Sequence, residues 1–79
     1  MNEMIALPRL RPEMESAFLA AWLKAPGEAF RKGDALYEIE TDKVVEQIAA
    51  ETDGVMGRQL ADEGDEVPVG APLAEIERN

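Results

Sequence analysis

Seventy-nine residues make one small domain with a thin core. The chain has no Cys and no His, which excludes a disulfide staple, a thiolate nucleophile, a Cys/His zinc centre and imidazole base chemistry. Its net charge of −9 works against nucleic acid and anionic membranes, which are bound through Lys and Arg, and favours a cationic protein partner.

The N-terminal MNEMIALPRL lacks the layout of a signal peptide, and the longest apolar run, AFLAAWL (17–23), is too short to span a bilayer. Residues 12–24, PEMESAFLAAWLK, pose a conflict. A leading proline, good helix formers and Met14, Phe18 and Trp22 at i, i+4, i+8 together describe a helix of about three turns. The rest of the chain contradicts that reading.

GEAFRKGDALYEIE (27–40) recurs as GDEVPVGAPLAEIE (64–77), a shift of 37 residues (64 minus 27). Gly27 falls on Gly64, Gly33 on Gly70, Leu36 on Leu73, and Glu38-Ile39-Glu40 on Glu75-Ile76-Glu77. Two copies of one supersecondary unit follow, each a strand, a Gly turn, a short extended link, a second Gly turn and another strand. Gly27, Gly33, Gly64 and Gly70 are the positions where the turns call for positive φ. Residues 17–23 fall on GVMGRQL (54–60), a poor helix, so equivalence of the halves makes 17–23 a strand against its local propensity. Leu36 and Ile39, like Leu73 and Ile76, are three apart. A bulge, or cover on both faces, has to interrupt the alternation. Pro68 and Pro72 belong at strand starts, edges or bulges.

Between the halves stands EIETDKVVEQI (38–48), with Lys43 where two strand-like runs meet. On its own this is a solvated turn lysine. Its context says more. P-x-L-x-P-x-M (8–14), Trp22, Gly27, Gly33-Asp34, I-E-T-D-K (39–43), Asp53-Gly54 and G-D-E-V-P-V-G (64–70) form an ordered set from about Met4 to Glu77. That set resembles the lipoyl domain, the carrier module of the acyltransferase component of 2-oxo acid dehydrogenase complexes.

The resemblance implies an all-β fold over residues 1–79, with repeat halves of about 4–40 and 41–77. It would be a flattened barrel of two four-stranded antiparallel sheets, one from each half, with the lysine turn at one end and the termini at the other. It implies lipoic acid in amide linkage to Lys43, within a recognition turn of Glu40, Thr41, Asp42 and Val44. The family glycines sixteen residues before and eleven after the lysine correspond to Gly27 and Gly54, expected in turns that hold the base of the hairpin. The implied role is a non-catalytic swinging arm, with no metal. Its partners would be a lipoate ligase or a lipoyl/octanoyl transferase, a thiamine-dependent 2-oxo acid dehydrogenase component, the acyltransferase core and dihydrolipoamide dehydrogenase. The expected setting is the bacterial cytoplasm, or the mitochondrial matrix of a eukaryote, with the domain itself monomeric.

Ala17, Pro26 and Glu51 depart from the family, where glycine, an acidic residue and proline are usual. All three lie away from the lysine turn. Biotin carrier domains share the fold, but they place methionine on both sides of the lysine where this chain has Asp42 and Val44. The alternatives are therefore biotin attachment and an unmodified acidic β-sandwich that docks a basic partner. On the carrier reading, Glu38, Glu40, Asp42 and Glu46 surround the tip as an acidic collar that steers it to basic enzyme entrances. Trp22 is expected to be core packing.

Overall fold

The structure, a computed structural model describing residues 2–78, is built of strands alone: β1 (Asn2–Ala6), β2 (Ser16–Trp22), β3 (Ala29–Phe30), β4 (Ala35–Glu40), β5 (Val45–Ala49), β6 (Gly54–Gln59), β7 (Glu66–Pro68) and β8 (Pro72–Arg78). They form two antiparallel four-stranded sheets, ordered β1-β8-β6-β3 and β5-β4-β2-β7, in a body of 34 × 21 × 18 Å.

Residues 16–22 are extended, not helical. Ala17 and Leu19 are buried while Phe18 and Ala20 are exposed, a period of two that uses one side of the segment. Burying Leu19 to 1% exposure in a shared core outweighs a helical preference worth tenths of a kcal/mol per residue.

Exchanging β1 with β5, β2 with β6, β3 with β7 and β4 with β8 turns one sheet order into the other. The repeat is thus a real pseudo-two-fold. The four positive-φ glycines obey it, with φ of 88° at Gly27 and 97° at Gly64, 93° at Gly33 and 89° at Gly70. So do the bulges. Tyr37 pairs with Ile48 and Ala35 with Ala49, leaving Leu36 as the extra residue in β4. Ala74 pairs with Ile5 and Pro72 with Ala6, leaving Leu73 as the extra residue in β8. Each bulge lets two successive residues, Leu36-Tyr37 and Leu73-Ala74, turn inward before Ile39 and Ile76 do. Pro68 ends the edge strand β7 and Pro72 opens β8, where no ladder donor is lost.

One expectation is corrected. The halves do not make one sheet each. Within a half, successive strands alternate between sheets, so each sheet takes two strands from each half. Every Gly turn therefore carries the chain across the barrel, and the halves fold only by pairing with each other.

The symmetry breaks once. β1 and β5 are offset by 43 residues (45 minus 2), not 37, because the β1–β2 link runs over 7–15 where its counterpart is 50–53. That longer link is fixed in place. Leu7 and Met14 are buried, Leu7 N–H donates to Ala71 O at 3.0 Å, and Arg9 Nη1 donates to the carbonyls of Pro12 and Met14. The first and last strands lie side by side, with Asn2 opposite Glu77. Glu3 and Arg78 line a cavity with Ala49 to Thr52, at the end of β5 remote from Lys43.

Tyr37 is 2% exposed, and its ring meets Trp22 edge-on at 5.7 Å. Trp22 is half-buried against the core and donates Nε1–H to Ala61 O at 3.0 Å. Burial, and secondarily the charge of Glu51, push the Tyr37 phenol up from 10.0 to about 12. The folded state thus favours the neutral phenol. Its contribution is complete below pH 10 and is lost as pH rises through about 12, on the order of 2 kcal/mol. Urea unfolding across pH 9–12 should show this loss in the parent and a shallower one in Tyr37→Phe. Parallel profiles would contradict it.

Candidate functional site

Among the described strands, β4 and β5 are the only chain neighbours that pair with each other. Their turn is therefore the single β-hairpin among the described residues, and it joins the two halves. Lys43 stands in it.

The last rung is Glu40 opposite Val45, leaving Thr41 to Val44 as the loop. No non-glycine residue among those described has positive φ, which excludes the primed and type II turns that need it. Thr41 closes the loop with its side chain. Its N–H donates to Val44 O at 2.9 Å, and its Oγ1 lies 3.3 Å from both Lys43 N and Val44 N as their acceptor. A hydroxyl thus takes the place of a backbone acceptor, leaving Asp42 and Lys43 exposed at the apex. Thr41→Val keeps the shape and the backbone bond to Val44 O but deletes the bonds to the hydroxyl. It should cost about 1 kcal/mol and lower Tm by about 5 °C; an unchanged Tm would remove Thr41 from this role.

Arg11 braces the hairpin from outside, which the sequence reading missed. It sits in the longer β1–β2 link, with Nη1 2.6 Å from Glu46 Oε1 and Nη2 3.4 Å from Thr41 Oγ1. The signal was available. The 37-residue register fails in this one link, so whatever the link carries serves something other than the repeat. Arg11, Glu13, Thr41, Asp42 and Lys43 together border a shallow cavity of about 230 Å³.

The acidic collar is smaller than expected. Glu46 lies opposite buried Ile39, on the other face of the sheet from Glu40, and is paired with Arg11. Glu38 accepts from Gln47 Nε2 at 2.9 Å. Glu40 and Asp42 remain as the exposed carboxylates beside the lysine.

The three lysines are not equivalent. Lys24 lies 3.6 Å from Glu28 and 3.9 Å from Asp34, with its side chain 22% exposed. Lys32 is exposed in the link between β3 and β4. Lys43 is exposed, forms no salt bridge among the described residues, and alone occupies a hairpin apex. An amine so placed is open to acylation on a base it does not itself stabilise.

Gly27 is in a turn as expected, and its N–H donates to Met56 O at 2.7 Å. Gly54 is not in a turn; it opens β6. A Cβ there would come 2.6 Å from Glu77 O and 3.0 Å from the Phe30 ring, so close packing, not conformation, requires the glycine. The backbone partners of both lie in the sheet opposite the β4–β5 hairpin.

The biotin/lipoyl family, described as "Biotin-requiring enzyme", matches residues 3–76. The dihydrolipoyllysine-residue succinyltransferase component of the 2-oxoglutarate dehydrogenase complex of Staphylococcus saprophyticus is 39% identical over 72 residues, 91% of this chain and 17% of that protein. The dihydrolipoyllysine-residue acetyltransferase component of the mitochondrial pyruvate dehydrogenase complex of Neurospora crassa is 39% identical over 74 residues, 92% of this chain and 16% of that protein. The chain thus spans about a sixth of the length of these relatives. The solution structure of the lipoyl domain of the 2-oxoglutarate dehydrogenase complex of Azotobacter vinelandii superposes with a TM-score of 0.76 at 37% identity, covering 92% of each chain.

Proposed function

Because this chain belongs to the biotin/lipoyl-attachment family, we propose that it is a lipoyl carrier domain, with lipoic acid in amide linkage to Lys43, serving a 2-oxo acid dehydrogenase complex. The observation that carries the reading is the display of Lys43 at the apex of the one hairpin among the described strands, on a turn held by Thr41 and Arg11. The likeness to the lipoyl domain of a 2-oxoglutarate dehydrogenase complex supports it.

Attachment forms an amide between Nζ and the carboxyl carbon of activated lipoate; the activating group leaves and the amine gives up its proton. When bound, the dithiolane supplies a redox-active disulfide that takes up an acyl group with two electrons, chemistry this chain cannot provide without Cys or His. The protein contributes a stationary base. Thr41 fixes the loop, Arg11 ties it to the β1–β2 link, and the lysine stem supplies reach. Amidation removes the Lys43 charge and leaves Glu40 and Asp42 to set the sign of the tip, which suits basic entrances on the enzymes that load and discharge the arm.

The test is the intact mass of the domain after incubation with lipoate, ATP and a lipoate ligase. The expected result is a gain of one lipoyl group, mapped to Lys43, with no gain from biotin and a biotin ligase. No gain, or a lipoyl group on Lys24 or Lys32, would overturn the proposal.

A further inference from the structure

An apolar patch lies on the flank of the hairpin, on the outer face of the β5-β4-β2-β7 sheet. Residues directly opposite each other in antiparallel strands share a face. Val45 faces Glu40, Glu40 faces Phe18, and Phe18 faces Glu66, so these four form one row across the whole sheet. All four are exposed: Val45 at 59%, Phe18 at 47%, with Val44 beside them at 43%. Nothing in the fold calls for a phenyl ring at position 18. Ala17 and Leu19 already fill the inner side of β2, while the other phenylalanine, Phe30, is 3% exposed. Phe18 lies one strand over from Glu40, the residue that leads into the lysine turn.

We infer that this row is the docking surface for the enzyme that attaches lipoate to Lys43, and that Phe18 is its anchor. The inference rests on the carrier reading above. The choice of partner follows from reach. An attaching enzyme must bring its active site to Nζ itself, at the end of a four-carbon stem. Its walls therefore come down over the flanks of the hairpin. An enzyme that loads the finished arm acts on the dithiolane at its far end, an arm's length from the flanks of the hairpin. The chemistry of the partner follows from the row. Phe18 and Val45 alternate with the carboxylates Glu40 and Glu66, so the complementary surface is an apolar socket for one ring, rimmed by Lys or Arg. Lysine display decides whether modification occurs; this row sets how tightly the attaching enzyme holds the domain.

The experiment measures initial rates of lipoate attachment by a lipoate ligase against domain concentration for the parent, Phe18→Thr, Phe18→Leu and Glu66→Gln. Phe18→Thr should raise KM about tenfold with kcat unchanged, and Phe18→Leu, which keeps an apolar contact, should stay within about twofold of the parent. Glu66→Gln should flatten the rise of KM with salt. All variants should melt within about 2 °C of the parent. Once fully lipoylated, Phe18→Thr should be acyl-loaded by a 2-oxo acid dehydrogenase component at the parental rate. An unchanged KM in Phe18→Thr would overturn the inference while leaving the carrier reading intact, as would slowed acyl loading with normal attachment. A parent that takes up no lipoyl group would overturn both.

Discussion

Lys43→Arg should fold like the parent, melt within about 1 °C of it, and show no lipoyl mass gain and no acyl loading. Arginine keeps the charge and most of the stem but offers no acylatable amine at working pH. The fold should not respond, because Lys43 is exposed and the turn is closed by Thr41 and braced by Arg11, not by the lysine. Residual acyl loading would mean that another group accepts the arm. The remaining lysines are the candidates, Lys24 held between Glu28 and Asp34, and Lys32 away from the hairpin.

The largest stability effect is expected at a distance from the site. Gly54 opens β6 against the central strand β8, and any Cβ there would meet Glu77 O at 2.6 Å, a backbone atom that cannot move without opening the sheet. Gly54→Val should cost about 3 kcal/mol through overpacking, or about 15 °C in Tm. Gly27 is a different case. Nothing lies within 4 Å of its would-be Cβ, but its φ is +88°. Gly27→Ala should therefore cost only the conformational strain, about 1 kcal/mol. Thermal unfolding followed by circular dichroism separates the two; near-parental melting of Gly54→Val would remove the packing argument.

Sequence periodicity and spacing were sufficient wherever the cause was local or repeated. The Gly spacing marks the four left-handed turns, and the Leu-Ile spacing marks the bulges at Leu36 and Leu73. Alignment of 17–23 with 54–60 overrules a helical pattern, because the poorer helix former shows what both copies must be. The hairpin that displays Lys43 is legible as two strand-like runs around T-D-K. What could not be read depends on which strands meet. The sharing of each sheet between halves is a property of chain crossing, and neither half contains a signal for it. Gly54 reads like a turn glycine, since the constraint on it comes from Glu77 and Phe30, distant in the chain. Glu46 reads as one more tip carboxylate until Arg11 is brought across from the β1–β2 link to pair with it.

On the carrier reading, the lysine is recognised by where the hairpin displays it. The most direct measurement is the intact mass of a double variant, Asp42→Lys with Lys43→Asp, after incubation with lipoate, ATP and a lipoate ligase. Composition, charge and the hydroxyl of Thr41 are all preserved, while the amine moves one place and leaves the apex on another side. Asp42→Ala, measured alongside, keeps the lysine in place and should be modified normally. No lipoyl gain is expected in the swapped variant, and a full gain in Asp42→Ala. Undiminished modification of the swapped lysine would contradict recognition by display.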